Sequence, residues 1–252
     1  MLATYSIGEP NGRPPILIAH GLYGSARNWG VIAKRLSDTR QVVTVDMRNH
    51  GQSDHVAPHD YPAMAGDLAE VIEGLGGPVD VVGHSMGGKA AMVLALEHVD
   101  LVRKLIVADI APVTYSHTQQ GMIDAMRAVD LSVVETRGDA DRQLANFVED
   151  QGVRAFLLQS LDVRGKVWRL NLDQLEADMD AIIGFPEVSG VFDGPVFMLS
   201  GAESDYVTHE HRPEIKRLFP AARFVKIPGA GHWVHAEKPR EFEAACRAFL
   251  DA

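Results

Sequence analysis

The sequence has a single cysteine, Cys246, so the chain cannot form an internal disulfide bond. Because Cys246 lies in a helical pattern near the C-terminus, we expect it to be buried and chemically silent. Basic residues are also few: 24 Lys and Arg stand against 34 Asp and Glu, which gives a net charge of −10. They are scattered singly or in pairs, so the sequence predicts no nucleic-acid-binding surface.

Long apolar runs are missing as well. No segment approaches the roughly 18 consecutive apolar residues that a membrane helix needs. The N-terminal stretch MLATYSIGEPNGRP has neither the basic start nor the apolar centre of a signal peptide. We therefore expect a cytoplasmic protein with no membrane partner. The sequence leaves the oligomeric state open between a monomer and a weak dimer.

The residues that are present have the composition of an ordinary globular protein, with 46% hydrophobic and 23% charged residues among 252. Short apolar, β-branched runs bounded by glycine, proline or aspartate each predict a buried strand. These runs are ILIAH (16–20), VVTVD (42–46), VDVVG (79–83), LIVAD (105–109), VFMLS (196–200) and FVKI (224–227). Helical patterns lie between most of them, at Trp29–Leu36, Met64–Leu75, Gly88–His98, Glu210–Phe219 and Lys238–Leu250. The alternation predicts an α/β fold with a mainly parallel sheet and helices on both faces.

The alternation stops between Pro112 and about Phe192, where amphipathic segments follow one another without a strand pattern. We interpret residues 112–192 as a helical lid insertion over the strand ends. Residues 1–111 and 193–252 then form the core from which the lid projects. At the start of the chain, the alternation in LATYSI predicts an antiparallel edge hairpin.

Residues 83–90, GHSMGGKA, fit two motifs. A phosphate-binding loop, G-x-x-x-x-G-K, continues with a hydroxyl residue that ligates magnesium, and this chain has Ala90 there. The second motif, G-x-S-x-G, is a nucleophile elbow, in which a strand turns abruptly into a helix and exposes Ser85. Gly83 and Gly87 are the very small neighbours that such a strained turn needs. The Met86 amide, at the start of the helix, is then one donor of an oxyanion hole.

The elbow needs a second oxyanion donor and a general base from elsewhere in the chain. In IAHGLYGS, His20 and Gly21 directly follow a predicted strand, which makes the next amide, that of Leu22, the second donor. The alternative is that His20 and Gly21 are only turn residues. In PGAGHWVHAEKP (228–239), a glycine-rich loop carries His232 before a helix start, so His232 is the predicted base. We interpret His235 as a surface or packing histidine.

The acid of the triad is less clear from the residues. The loop after strand 196–200 reads GAESDYV, with Ser204 at the usual position of the acid and Asp205 one residue late. Asp109, at the end of LIVAD, lies one strand earlier on the same edge of the sheet, where strand-end carboxylates converge. The residues themselves favour neither aspartate.

Six segments carry a resemblance to a known family: HGLYGS, DMRNHGQS, GHSMGG, DIAP, WRLNL (168–172) and GHWVHAEKP. Together they resemble the α/β-hydrolase superfamily and, more narrowly, the YbfF-like esterases and their eukaryotic abhydrolase-domain relatives. The resemblance covers essentially the whole chain. It implies an acid after the family's sixth strand, with a serine at the usual acid position, and a lid inserted after that strand. It therefore implies Asp109 as the acid, with Asp205 in reserve.

A triad of Ser85, His232 and Asp109 predicts a carboxylic ester hydrolase that acts through an acyl-enzyme. We expect a small-molecule substrate, a short- to medium-chain acyl ester or an acyl thioester. The chemistry needs no metal or organic cofactor. His209 and His211 do not predict a metal site, because an i, i+2 spacing on a helix points the two rings apart.

The lid sequence offers candidates for binding the substrate. We expect Trp168, Met122, Met126 and Phe156 to form one wall of an apolar acyl pocket, although the lid's own core would also need such residues. The arginines of the lid that could meet an anionic substrate group, such as the phosphates of an acyl-CoA, are Arg137, Arg154 and Arg169.

Three other functions stay open at this point. A C–C bond hydrolase or a lactonase would use the same triad. A dehalogenase or an epoxide hydrolase needs aspartate as the nucleophile, which Ser85 argues against. A non-catalytic ligand-binding protein of the same fold would usually lack a triad member, and each member has a candidate here.

Overall fold

The computed structural model describes all 252 residues. Its main sheet has seven strands: β1 (Ala3–Ile7), β2 (Ile16–Ala19), β3 (Val42–Asp46), β4 (Val79–His84), β5 (Val102–Ala108), β8 (Val196–Gly201) and β9 (Arg223–Ile227), and a separate pair is β6 (Leu161–Asp162) and β7 (Val167–Trp168). The order across the main sheet is β1-β3-β2-β4-β5-β8-β9, and every pair except β1 with β3 is parallel. The prediction of a mainly parallel sheet is confirmed.

The chain has eleven helices, some on the two faces of this sheet and five in the segment between β5 and β8. They are α1 (Gly30–Leu36), α2 (Tyr61–Leu75), α3 (Met86–Glu97), α4 (Gln120–Arg127), α5 (Arg137–Leu144), α6 (Gln151–Leu157), α7 (Leu172–Ala177), α8 (Met179–Ile183), α9 (Arg212–Leu218), α10 (Val234–Glu237) and α11 (Pro239–Leu250). Successive strand residues alternate between two cores: Val81 belongs to the core that contains residues of α2, α3 and α9, whereas Val82 belongs to the core that contains residues of α1 and α11. None of these helices is long and apolar enough to cross a membrane.

The first strand differs from the predicted hairpin. β1 is antiparallel, as expected, but its partner is β3, with Ala3 opposite Asp46 and Ile7 opposite Val42. The neighbouring strand in the chain, β2, is already paired on both sides by β3 and β4. β1 pairs instead with the outer edge of β3, and no hairpin forms between β1 and β2.

The segment between β5 and β8 holds α4 to α8 and also the short β6–β7 pair, where the sequence showed no strand pattern. Strands of two residues are too short to have a detectable period, which is why the pair was missed. The segment has its own apolar core of 17 buried residues, all from the segment except Tyr23. The resemblance implied an insertion after the sixth strand of the family. In this chain the main sheet has seven strands, and the insertion follows the fifth of them, β5.

Candidate active site

Ser85 lies at the sharp turn between β4 and α3, with φ 52° and ψ −121°. This is a strained conformation for a residue with a side chain, and it persists only where the surroundings enforce it. A Cβ on Gly83 would lie 2.3 Å from the carbonyl oxygen of Gly87, and a Cβ on Gly87 would lie 2.5 Å from that of Ala19. Both positions therefore exclude any side chain, and the turn has the geometry of a nucleophile elbow.

Two loops at the carboxyl edge of the sheet bring a histidine and an aspartate to this serine. His232, in the loop between β9 and α10, has its Nε2 3.1 Å from Ser85 Oγ. Its Nδ1 lies 2.8 Å from Oδ2 of Asp109, a fully buried residue that directly follows β5. The three side chains thus form a continuous chain of hydrogen bonds from hydroxyl to carboxylate.

The carboxylate of Asp109 accepts two further hydrogen bonds. The Ser204 hydroxyl donates to Oδ2 at 2.5 Å, and the amide of Gly201 donates to Oδ1 at 3.1 Å. Asp109 also has a positive φ of 52°, which turns its side chain back toward the serine and histidine loops. Asp205, the reserve acid, is exposed and makes no hydrogen bond to His232.

The loop after β2 lies beside Ser85, and two buried histidines hold it. The ring of His20 accepts from the Met47 amide at 2.9 Å and donates to the Gly21 carbonyl at 2.8 Å. The ring of His50 accepts from the Tyr23 amide at 3.1 Å. Burial lowers the pKa of both rings, so both are neutral and can accept through Nε2. The sequence reading missed His50, although it stands in the quoted segment DMRNHGQS.

Leu22 lies at the centre of this loop and lines the same cavity as Ser85 and Met86. Its amide makes no hydrogen bond within the chain. An available amide beside the nucleophile, together with the start of α3 at Met86, is the arrangement that an oxyanion hole requires.

Two further histidines pack beneath the catalytic loop. The ring of His84, next to the serine, donates through Nε2 to the carbonyl of His232 at 2.9 Å and so fixes that loop. His235 is buried and stacks on Trp29 with the ring centroids 4.2 Å apart. Burial lowers the pKa of His235 to about 3, so this ring is neutral. His235 is therefore a packing residue, one of the two interpretations that the sequence allowed. The sequence did not single out His84.

A cavity of about 280 Å³ opens above Ser85, and 15 of its 25 lining residues are hydrophobic. Met122 and Phe156 line it, as expected. Met126 and Trp168 do not: the Trp168 indole donates to the carbonyl of Met126 at 2.9 Å, and both side chains are buried in the core of the insertion. The expectation that these two residues line the pocket is wrong, because an insertion of this size needs an apolar core of its own.

A buried lysine, not singled out in the sequence, also lines the cavity. Lys89, one turn after Ser85 in α3, donates to the carbonyls of Ile183 and Gly184 at the end of α8, at 2.9 and 2.5 Å. Burial lowers the pKa of Lys89 to about 7. The lysine therefore connects the nucleophile helix to the last helix of the insertion.

Comparison with known proteins agrees with this geometry. Residues 14–239 match the sequence model of the alpha/beta hydrolase fold. The chain is 44% identical to the sn-1-specific diacylglycerol lipase ABHD11 of Mus musculus, over 94% of this chain and 81% of the mouse protein. It is 39% identical to esterase YbfF of Escherichia coli, over 94% of this chain and 93% of that protein.

A solved structure described as a marine microorganism esterase superimposes with a TM-score of 0.93 at 39% identity, and 98% of each chain is covered. The sequence match, the enzyme relatives and the superposition all extend over nearly the whole chain. The protein therefore belongs to the α/β-hydrolase family of enzymes.

Proposed function

We propose that the protein is a serine carboxylesterase that cleaves short- to medium-chain acyl esters through an acyl-enzyme. The observation that carries this proposal is the hydrogen-bond chain from Ser85 Oγ through His232 to Asp109, with steps of 3.1 and 2.8 Å. Relatives named as an esterase and as a lipase, at 39% and 44% identity, support it.

In the first step, His232 Nε2 takes the proton of Ser85 as the serine oxygen adds to the ester carbonyl carbon. The N–H on Nδ1 stays on the ring, and the Asp109 carboxylate stabilises the imidazolium without becoming protonated. The amides of Leu22 and Met86 donate to the oxygen that becomes negative. The imidazolium then gives its proton to the alkoxide that leaves, the C–O bond breaks, and an acyl-enzyme remains.

In the second step, water gives a proton to His232 Nε2 and adds to the acyl carbon. The same two amides hold the second oxyanion. When this intermediate collapses, the bond to Ser85 breaks, the carboxylic acid leaves and the proton returns to the serine oxygen. The enzyme is restored, and the cycle uses no group from outside the chain other than water.

The cavity supports the choice of substrate. Its volume of about 280 Å³ is at the lower end for ligand pockets, and its walls are mostly apolar, which favours an acyl group of modest length. We propose that residues 112–192 act as the lid of this cavity, with Met122 and Phe156 in contact with substrate. Residues 1–111 and 193–252 would form the catalytic core.

Charges on the insertion favour an oxygen ester over an acyl-CoA thioester. Arg154 is paired with Asp141 at 2.8 Å, and Arg169 is paired with Asp162 at 2.6 Å. Arg137 lies at the exposed start of α5, and none of the three arginines lines the cavity. The phosphates of coenzyme A would therefore find no free arginine at the cavity wall.

A lipase that acts on diacylglycerol is the second candidate, because the mouse relative at 44% identity is named for that activity. The two candidates differ in acyl chain length. Rates on p-nitrophenyl esters from acetate to palmitate, together with hydrolysis of a diacylglycerol, distinguish them. We expect the highest kcat/KM for a short or medium chain.

Labelling with a fluorophosphonate probe tests the chemistry itself. Ser85 in the folded protein should become covalently modified, and Ser85→Ala should abolish both labelling and ester hydrolysis. The control is Ser204→Ala, which keeps the nucleophile and should still be labelled. A folded protein whose Ser85 stays unlabelled would exclude the serine hydrolase and favour a non-catalytic ligand-binding protein.

A further inference from the structure

The ring of Tyr206 lies on the imidazole of the catalytic histidine. The centroids of Tyr206 and His232 are 3.9 Å apart, and the ring planes differ by only 22°. The next nearest ring to His232 is that of His84, at 4.8 Å and tilted by 44°. Tyr206 is thus the one aromatic side chain stacked on the base, and it also lines the cavity above Ser85.

Three hydrogen bonds hold this tyrosine in place. Its amide donates to the Ser204 hydroxyl at 3.3 Å, in the same turn that supports the carboxylate of Asp109. Its carbonyl accepts from the Tyr115 hydroxyl at 2.7 Å. Its own hydroxyl lies 2.9 Å from Nε2 of His117. Tyr115 and His117 lie at the start of the insertion, so both the turn and the insertion fix the ring.

The charges around the imidazole explain why a stacked ring matters. The Asp109 carboxylate lies at Nδ1 of His232. His84 packs on His232, and His235 packs on His84 with the ring centroids 4.6 Å apart; both histidines are buried, and burial lowers the pKa of each. They bring no charge to its faces. Asp205, which precedes Tyr206 in the chain, and His117, which lies at the Tyr206 hydroxyl, are both exposed to solvent.

When the base takes a proton, its two N–H groups are bound by Asp109 and by the reacting oxygen. The two faces of the positively charged ring are then the parts that no hydrogen-bond acceptor contacts. The face of a phenol ring is negative and attracts a cation placed over it. We propose that Tyr206 is a positioning residue for the catalytic base, and that its ring holds the imidazole in plane and stabilises the imidazolium formed during acyl transfer. This inference rests on the proposed serine hydrolase mechanism.

The test compares three variants on a short p-nitrophenyl ester. Tyr206→Leu keeps an apolar side chain over the imidazole, so that water stays out, but removes the aromatic face. Tyr206→Phe keeps the face and removes the hydroxyl, and His117→Ala removes only the partner of that hydroxyl. We expect Tyr206→Leu to lose about 2- to 30-fold in kcat with little change in KM, whereas the other two variants stay within about two-fold of wild type.

A second readout does not depend on turnover. The pH profile for the rate of Ser85 labelling by a fluorophosphonate should move by about 0.4 to 1.5 pH units to lower pH in Tyr206→Leu and stay unchanged in Tyr206→Phe. A merely structural role would lower the melting temperature without this difference between the two variants. If Tyr206→Leu does not fold, Tyr206→Met is measured in its place, with the same expected results.

Two results would overturn the inference. One is a folded Tyr206→Leu with wild-type kcat and a wild-type pH profile of labelling. The other is a loss in Tyr206→Phe as large as that in Tyr206→Leu, which would assign the effect to the hydroxyl. Failure of the underlying mechanism looks different, because the wild-type protein would then itself resist the fluorophosphonate probe.

Discussion

Ser204 Oγ lies 2.5 Å from Asp109 Oδ2, the same oxygen that accepts the hydrogen bond from His232. Ser204 stands in the turn after β8, at the position where the family pattern has the acid. Here Asp109 lies just after the neighbouring strand β5, and the Ser204 hydroxyl donates across to it. We propose that the two residues share what a single acidic residue does elsewhere: Asp109 supplies the charge, and Ser204 holds the carboxylate in place.

This division predicts a large difference between the two candidate acids. Asp109→Asn should reduce kcat by up to about four orders of magnitude, because the histidine loses the partner that sets its orientation and stabilises its cation. Asp205→Asn should change kcat only a few-fold, since Asp205 is exposed and unconnected to His232. Steady-state kinetics on a p-nitrophenyl ester measure both, and a larger loss in Asp205→Asn would reverse the assignment.

Ser204→Ala should reduce kcat by about 10- to 150-fold, because a hydrogen bond to a charged group contributes about 1.5 to 3 kcal/mol. Ser204→Thr keeps the hydroxyl and is expected to recover most of the rate. Single-turnover labelling by a fluorophosphonate measures the reactivity of Ser85 separately from product release. An alanine variant as fast as wild type would show that the carboxylate needs no help from the serine.

His235 should make the protein sensitive to acid. Its folded-state pKa is about 3, against about 6.5 when unfolded, so the unfolded chain binds a proton in this range and the folded chain does not. The stability that is present above about pH 6.5 is therefore lost as the pH falls toward 3, by about 1.4 kcal/mol per unit.

His235→Phe removes this dependence and keeps the stack on Trp29, and it also removes the buried Nδ1 that has no hydrogen-bond partner. We expect the variant to gain about 2 kcal/mol over wild type between about pH 7 and about pH 5, measured by urea unfolding. His235→Gln, which loses the stack, should be less stable than His235→Phe at both pH values. Parallel stability curves for wild type and His235→Phe would contradict the prediction.

Lys89 should make the stability of the protein depend on pH in the alkaline range. Burial lowers its pKa to about 7 in the folded protein, from about 10.5 in the unfolded chain, so its charged form opposes folding below pH 7. The contribution of Lys89 to stability rises with pH between about 7 and about 10.5, because over that range only the unfolded chain holds the proton.

The stability of Lys89→Met relative to wild type should therefore fall by roughly 1.4 kcal/mol per pH unit as the pH rises. The methionine variant should be most stable relative to wild type near pH 7. At about pH 10 the variant should be the less stable of the two, because it lacks the hydrogen bonds to Ile183 and Gly184. Urea unfolding at intervals between about pH 7 and about pH 10 tests this, and a constant difference would contradict it.

Local patterns in the sequence determined the alternation of strands and helices, the elbow at Ser85 and the loop that carries His232. Each of these depends on short spacings, such as two glycines around a serine or a glycine-rich loop before a helix, and the backbone enforces such spacings on its own. The clash of a Cβ at Gly83 with the Gly87 carbonyl is the clearest case, because both residues lie in the turn itself; the matching clash at Gly87 is with Ala19 of the neighbouring strand.

Only the tertiary structure decided which partners each element meets. Asp109 rather than Asp205 lies at the histidine because a positive φ after β5 turns its side chain toward the loops from β8 and β9. Trp168 packs inside the insertion and Phe156 faces the cavity, although both are large apolar residues of the same segment. The Tyr206 stack and the pairing of β1 with β3 likewise join distant parts of the chain. The direction of a side chain depends on how the loops come together in space and on which apolar surfaces are left to bury. The order of residues along the chain gives neither kind of information directly.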